Sequence, residues 1–296
     1  MLLTDSAQAL THGSPIGPLA MLARLHPSIE TFTAICPPNN GHPAIIGQMQ
    51  FASGERSAHL TYLMPNDALG SENLTFLLET MASQAGSWGA LHLLAEIDET
   101  SSALDRMRHS GFSVYAWQRI WQFKTPLENH KAESNLWQPA TSIDEIPIRN
   151  LYQLLVPPLV QSAEPLNSRR LQGWVYRQDQ EIMAYVEGIY GPHGIYLHPL
   201  IHPALENVSQ VVAGLLARQP GLLNRAVYMP IRSYQAWLET VVRDLECQVG
   251  PRQALMVKHL VIQQRVSALA ARHSVLEKYT TEPTVPLVPN STITRE

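Results

Sequence analysis

Few side chains of this sequence could do chemistry, and Glu96 is the first candidate. It lies near the C-terminal end of a predicted strand, on the face opposite Leu93 and Ala95. A carboxylate whose pKa is raised towards neutrality by a cleft can accept a proton from an attacking nucleophile. A solvated glutamate at a strand end is the alternative interpretation. The sequence contains no Gly-x-Ser-x-Gly turn, so it gives no support to a hydrolase nucleophile.

Three histidines, His193, His198 and His202, lie close together and could ligate zinc. The prolines beside them exclude a regular helix, so His198 and His202 are not expected to share a helical face. Isolated histidines in loops usually belong to the polar surface. The sequence therefore predicts no metal site.

Composition excludes several classes of partner. The chain has 296 residues, 45% hydrophobic and 16% charged, with a net charge of −4. It has no cluster of Lys and Arg, so we expect no nucleic-acid partner. The widely separated Cys36 and Cys247 fit a reducing compartment. The N-terminus does not have a signal-peptide pattern and no apolar run reaches the length of a membrane span, so we expect a cytoplasmic protein with no membrane partner.

An internal repeat organises the chain. At an offset of 134 residues, the distance from Pro65 to Pro199, similar residues recur without a gap. The matching positions include Leu63-Met64-Pro65 with Leu197-His198-Pro199, Glu72-Asn73-Leu74-Thr75 with Glu206-Asn207-Val208-Ser209, Met49 with Met183, His59 with His193, Tyr62 with Tyr196, and Leu104 with Leu238. This repeat predicts two domains, residues 1–125 and 136–265, joined by a linker at 126–135 and followed by a helical extension and disordered tail at 266–296.

Each copy is predicted to contain the same elements. In the first copy, residues 28–35, 44–51 and 58–64 have the composition of strands, and a helix begins near Ser71 as its N-cap. A strand at 91–97, a helix at 102–109 and a strand at 115–123 complete the copy. In the second copy, the corresponding elements are preceded by Ser142-Ile143-Asp144-Glu145, a capping-box pattern that begins a helix. The predicted fold class is therefore α/β, a mixed sheet with helices on its faces.

The order of these elements and several short phrases resemble the GNAT acyl-CoA N-acyltransferase superfamily in both copies. The phrases are Ile45-Ile46-Gly47, Ala103-Leu104 with Ser110-Gly111-Phe112, and the segment from Pro139 to Ile146. The resemblance implies two tandem GNAT-like domains. It also implies a site in which one strand separates from its neighbour after a proline, pairs with the pantetheine arm, and leads to a loop that binds the pyrophosphate at a helix N-terminus.

By this resemblance the predicted cofactor-binding residues are in the first copy: Leu63, Met64, Pro65, Ala68, Leu69, Gly70 and Ser71. Neither copy has the glycines of the family loop, and in the second copy Pro203 removes an amide donor while Leu205 crowds the approach. The tyrosine that many family members use as an acid is Met107 here, and the asparagine near the same helix is Thr100. His198 and His202 stand where a second GNAT-like copy would meet its ligand.

The leading hypothesis is an N-acyltransferase that moves an acetyl or other acyl group from acyl-CoA to an amine of a small molecule or peptide, with acetyl-CoA as the expected co-substrate. The first copy is expected to be the active half. The competing hypothesis is a catalytically silent pseudo-acyltransferase that binds a ligand or acts as a structural scaffold. Loss of the glycines and of the tyrosine favours the second hypothesis, whereas Gly70 and Ser71 support the first.

Overall fold

A computed structural model describes residues 1–14, 28–39, 41–123, 136–166, 173–218 and 225–260. The predicted linker at 126–135 and the extension and tail at 266–296 lie outside the described residues. We call residues 1–123 the first half and residues 136–260 the second half. Among the described residues, no helix is both long and apolar enough to cross a membrane.

The described residues contain twelve strands in one mixed sheet. In chain order they are β1 (Leu2–Leu3), β2 (Ile29–Cys36), β3 (Ile45–Ala52), β4 (Ser57–Met64), β5 (His92–Asp98), β6 (Ser113–Phe123), β7 (Trp137–Pro139), β8 (Gly173–Gln178), β9 (Glu181–Tyr190), β10 (Gly194–Ile201), β11 (Ala226–Arg232) and β12 (Cys247–His259). The order across the sheet is β2-β3-β4-β5-β12-β6-β11-β10-β9-β8-β7, with β1 paired to β4.

Seven α-helices cover the two faces of the sheet in the described part of the chain. They are α1 (Ser6–His12), α2 (Glu72–Ser87), α3 (Ala103–His109), α4 (Glu145–Leu155), α5 (Pro158–Ala163), α6 (Val208–Arg218) and α7 (Trp237–Arg243). Helices α2 and α3 bury one face of β5 through Leu93 and Ala95. Because side chains alternate along a strand, Leu94 faces the other side, where it packs with α4 and α5. Helices α6 and α7 pack on the second half in the same way as α2 and α3 on the first.

The last strands of the two halves are exchanged, which corrects the prediction that each copy closes on its own last strand. Strand β12 pairs antiparallel with both β5 and β6, and β6 pairs on its other side with β11. A strand of the second half thus lies between two strands of the first. The strands of both halves form one continuous sheet. The domain boundaries at 1–125 and 136–265 therefore stay a prediction from the sequence repeat.

Two caps differ from their predictions. The capping box before α4 is one residue earlier than expected: the Thr141 amide and hydroxyl both donate to the Asp144 carboxylate, at 2.8 and 2.9 Å. Ser71 does occupy the N-cap position of α2 in extended backbone, but its hydroxyl makes no capping hydrogen bond. The Ser71 Oγ is instead buried without a partner.

Candidate functional site

Each half contains a crevice where two parallel strands separate. Residues 57–59 of β4 pair with residues 92–94 of β5, and the pairing stops there although β4 continues to Met64. In the second half, residues 194–196 of β10 pair with residues 226–228 of β11, and β10 continues to Ile201. Separated strands leave backbone donors and acceptors facing the gap, and these need other partners. We call the two gaps the first and the second crevice.

The first crevice is filled by the start of the chain. In β1, Leu2 and Leu3 pair antiparallel with Leu63 and Tyr62 of β4. The amide of Thr4 donates to the Thr61 carbonyl at 3.1 Å, and the amide of Glu96 on β5 donates to the Thr4 carbonyl at 3.0 Å. Residues 2–4 therefore hydrogen-bond to both walls, and the strand edge predicted to pair with the cofactor arm is already paired here.

The second half directs its opening strand elsewhere. Strand β7 pairs with β8 at the outer edge of the sheet, so it does not enter the second crevice. On the face covered by α4 and α5, that crevice opens into a cavity of about 200 Å³. The cavity is lined by Tyr152, Val156, Val160, Glu164, Pro165, Leu166, Tyr185, Glu187, His198, Pro199, Leu200, Pro230, Arg232, Tyr234 and Gln235.

The predicted cofactor loop of the first half is tightly packed. Leu63, Ala68 and Leu69 are each at most 1% exposed. The amides of Ala68, Leu69 and Ser71 donate to carbonyls within the loop, those of Pro65, Asn66 and Ala68. The carbonyl of Gly70 accepts a hydrogen bond of 2.6 Å from the Arg106 side chain. The amides of Ala68, Leu69 and Ser71 are therefore already hydrogen-bonded within the loop. Cofactor binding at Leu63, Met64, Pro65, Ala68, Leu69, Gly70 and Ser71 stays a prediction.

The corresponding loop of the second half, residues 202–207, is more exposed. The His202 ring accepts a hydrogen bond of 3.1 Å from the Ala204 amide, and the Leu205 amide donates to the His202 carbonyl at 3.0 Å. Leu205 is buried, whereas Pro203 and Ala204 are exposed. The outer surface of this loop is therefore open to a ligand.

Glu96 lies on the predicted face, and α1 covers it. Its carboxylate accepts hydrogen bonds from the Ser6 amide at 3.1 Å and from the Gln118 side chain at 3.2 Å. Burial raises the pKa of Glu96 to about 7, and the nearby Asp5 carboxylate adds to the rise. The pKa of Glu96 is therefore near neutrality, as expected for a base, but the cause is burial under α1 rather than an open cleft. A catalytic role for Glu96 stays a prediction.

A buried ion pair forms one wall of the second crevice. Arg232 at the end of β11 donates to the Glu164 carboxylate at 2.6 Å, and the hydroxyl of Tyr115 donates to the same carboxylate. The hydroxyl of Tyr152 donates to the Glu164 backbone carbonyl at 2.5 Å. Burial opposes the charge on Glu164, but Arg232 outweighs it and lowers the pKa of this carboxyl. Since Tyr115 belongs to β6, the exchanged strands bring a residue of the first half to this wall.

Burial shifts the pKa of two further groups in the cavity, His198 and Glu187. Burial and the nearby Arg232 lower the pKa of His198 to about 4, so its imidazole is neutral near pH 7. The His198 ring packs edge-on against Tyr196, with ring centroids 4.9 Å apart. Burial raises the pKa of Glu187, as do the carboxylates of Glu55 and Glu164.

Gln235 gives the cavity an unsatisfied donor. It lies in the turn between β11 and α7 and is 3% exposed, and its Nε2 has no hydrogen-bond partner. A buried donor without a partner costs about 1–3 kcal/mol, so such groups usually await a ligand or a water molecule. Sequence reasoning missed Gln235, Glu187, Glu164 and Arg232. The available signal was the placement of Arg232 directly after the apolar residues of a predicted strand.

The three histidines are not gathered. His193 donates its amide to the Thr11 carbonyl at 2.9 Å, while His198 lines the cavity and His202 caps its own loop. Across the described ranges, no group of three or more His, Cys, Asp or Glu is placed to hold a metal ion. His198 lines the cavity and His202 lies on the exposed loop, and ligand binding near them in the second copy stays a prediction.

Comparisons with known proteins bear on the fold. No family model and no curated protein matches the chain. Among solved structures, a GCN5-related N-acetyltransferase from Kribbella flavida is 11% identical, with a TM-score of 0.51 over 81% of this chain and 93% of its own. A tandem GNAT protein from the clavulanic acid biosynthesis pathway is 12% identical, with a TM-score of 0.48 over 86% of this chain and 93% of its own.

A third structure, a GCN5-related N-acetyltransferase from Sphaerobacter thermophilus, is 14% identical, with a TM-score of 0.46 over 83% of this chain and 87% of its own. The Kribbella structure has a TM-score above 0.5 and supports the assignment of the fold. The repeated order of strands and helices in the two halves agrees with it. The chain has the α/β fold of this GCN5-related N-acetyltransferase from Kribbella flavida, and the order of strands and helices recurs in its two halves.

Proposed function

We propose that the protein transfers an acyl group from an acyl-CoA to an amine, and that the second crevice is the site. The observation that carries this proposal is the separation of β10 from β11 beside a cavity with an unsatisfied buried donor, Gln235. The first crevice has the same strand arrangement but is filled by β1. This reverses the expectation from sequence that the first copy is the active half.

The residues of the second crevice fit an acyl-CoA arm. A pantetheine arm carries amide groups, whose carbonyls would satisfy the Gln235 side chain and whose remaining polar atoms would pair with the free edges of β10 and β11. The loop at 202–207 would face the phosphates. Because Pro203 has no amide hydrogen and Leu205 is buried, this loop offers fewer donors than a glycine-rich one. We therefore expect most of the affinity to come from the arm.

The chemistry needs a proton acceptor for the amine. When bound, a thioester supplies an activated acyl carbon and a thiol leaving group. Glu187 accepts the proton of the attacking amine, whose nitrogen bonds to the acyl carbon as the carbon–sulfur bond breaks. Burial raises the pKa of Tyr234, so its hydroxyl stays protonated and is available as a donor to the departing sulfur.

Calorimetric titration with acetyl-CoA tests the proposal and the choice of half. Gln235→Leu removes the unsatisfied donor, and Ala204→Trp blocks the exposed second loop. Ser71→Trp blocks the first loop and is the matched control. We expect wild type to bind at one site, Gln235→Leu and Ala204→Trp to bind about tenfold more weakly, and Ser71→Trp to bind like wild type.

Two results would contradict this. Absence of binding at millimolar acetyl-CoA would contradict the acyltransferase function. Loss of binding in Ser71→Trp alone would indicate that the binding site is the first-half loop. Unfolding in urea separates lost contacts from lost folding. Gln235→Leu is expected to leave the free energy of unfolding unchanged or higher, because the side chain it removes has an unpaired donor.

A catalytically silent scaffold is the second candidate function. The filled first crevice favours it, as does the absence of glycine from the positions of the family loop. The two functions differ in one measurement, the release of free thiol from acetyl-CoA when an amine is present. A scaffold binds acetyl-CoA or an amine without releasing thiol above the buffer rate.

A further inference from the structure

A second cavity, of about 480 Å³, lies beside the one at the crevice. It is bordered by the turn between β3 and β4 and by Leu94 and Ala163. Glu164, Pro165 and Leu166 belong to the walls of both cavities.

Glu187 is the carboxylate of this region that lacks a counter-ion. The described residues give its carboxylate no hydrogen bond and no ion pair, although the residue is half-buried on β9 and lines the cavity. The other carboxylate that lines the crevice cavity, Glu164, is neutralised by Arg232. A partly buried charge without a partner is costly, so a cation placed beside Glu187 would be favoured.

Besides its polar residues, the crevice cavity has apolar and aromatic walls. They include Tyr152, Val156, Val160, Tyr185, Leu200 and Tyr234. The hydroxyl of Tyr152 is already engaged by the Glu164 carbonyl, so its ring is the surface left for contact. Aromatic and aliphatic walls beside a single unpaired carboxylate suit a ligand with one ammonium group and an apolar body.

We propose that the acyl acceptor is an apolar organic amine without a carboxylate near its nitrogen, held by Glu187 and enclosed by the aromatic walls. This rests on the proposed acyl transfer and specifies its acceptor. An α-amino acid has a carboxylate beside its amine, which would be repelled by Glu187. Arg232, the cation among the lining residues of the crevice cavity, is already paired with Glu164 and does not compensate this repulsion. Free amino acids are therefore excluded as acceptors, whereas the amines that correspond to them without the carboxylate are accepted.

Phenethylamine and phenylalanine are the matched probes, since they share the aromatic body and differ in the carboxylate. Binding is measured by calorimetry at pH 8 without acetyl-CoA, and thiol release is measured with it. We expect phenethylamine to bind at least tenfold more tightly than phenylalanine and to be the faster acceptor. Glu187→Gln should weaken phenethylamine about tenfold and remove the discrimination, while Glu187→Asp retains part of it.

Glu181→Gln is the control, because Glu181 is exposed at the far end of the same strand; its binding should match wild type. Equal binding of the two probes, or unchanged phenethylamine binding in Glu187→Gln, would overturn the proposal. Failure of the acyltransferase is seen separately, as absence of acetyl-CoA binding. If acetyl-CoA binds and releases thiol only in the presence of amines that carry a carboxylate, the proposed acceptor is wrong but the proposed acyl transfer is supported.

Discussion

Replacing Arg232 by methionine tests whether the ion pair at the second crevice is held as the structure indicates. The Arg232 side chain is 10% exposed and that of Glu164 is 28% exposed, with the two charges 2.6 Å apart. Removing the guanidinium leaves a mostly buried carboxylate without a counter-ion, which costs about 3–5 kcal/mol in proteins. Glu164 retains the hydroxyl of Tyr115 and some contact with water. We therefore expect a loss of about 3 kcal/mol at pH 8.

The loss should depend on pH and on the partner. Arg232 lowers the pKa of Glu164 below its ordinary 4.5, so the stability from this pair is present above that value and is lost as pH falls through the lowered one. In Arg232→Met, burial alone raises the pKa of Glu164, so the defect should shrink as pH falls from 8 to 5. The double variant Arg232→Met, Glu164→Gln should recover to within about 1 kcal/mol of wild type, because no buried charge remains.

Urea unfolding followed by tryptophan fluorescence measures these differences as shifts in the midpoint at constant slope. The reasoning would be refuted if Arg232→Met were within about 1 kcal/mol of wild type at pH 8, or if the losses of the two single variants added up in the double variant. A defect that stayed constant between pH 8 and 5 would also contradict it, since it would show a packing loss rather than an unpaired charge.

Three further predictions concern other parts of the fold. Thr4→Pro removes the amide that binds the Thr61 carbonyl, so we expect about 1–3 kcal/mol less stability in urea, and no loss would show that β1 does not hold the first crevice. The pKa of Glu96 in the folded protein, about 7, exceeds its usual 4.5, so the free energy of unfolding of wild type should fall by about 2–3 kcal/mol between pH 4.5 and 7. Glu96→Gln should abolish this dependence on pH. If the dependence persisted in the variant, another group would be its cause. Trp137→Phe removes the donor to the buried Val211 carbonyl at 2.8 Å and should cost about 1–3 kcal/mol in thermal or urea unfolding, whereas a neutral effect would exclude this bond as a contributor.

Local sequence patterns were sufficient for most of the elements. The strand predicted at 58–64 is observed as Ser57–Met64, and the helix predicted after Ser71 is observed as Glu72–Ser87. The periodicity of apolar residues determines such elements within a few residues of chain, and turn chemistry separates them. The 134-residue repeat likewise indicated two copies of one strand and helix order, and the structure has that order twice.

The candidate site depended on contacts that no local pattern contains. The prediction placed it at Leu63–Ser71 because Gly70 and Ser71 are local features, but whether a crevice is open depends on where β1 pairs. Two residues, Leu2 and Leu3, are too short a run for periodicity to assign to a partner strand. Glu187, His198 and Gln235 acquire their perturbed or unsatisfied state only through burial by α4, α5 and β11.

The sequence by itself determined most of the elements, their order and their duplication, since these follow from the spacing of apolar residues and from turn residues. It did not predict β1, α1 or α5. Only the tertiary structure decided that β12 lies between β5 and β6, that β1 fills the first crevice, and that Arg232 meets Glu164 and Tyr115. The physical reason is that a strand edge has the same backbone donors and acceptors whatever its sequence. Pairing is therefore chosen by the packing of the whole chain, and the charges that meet across the sheet follow from that choice.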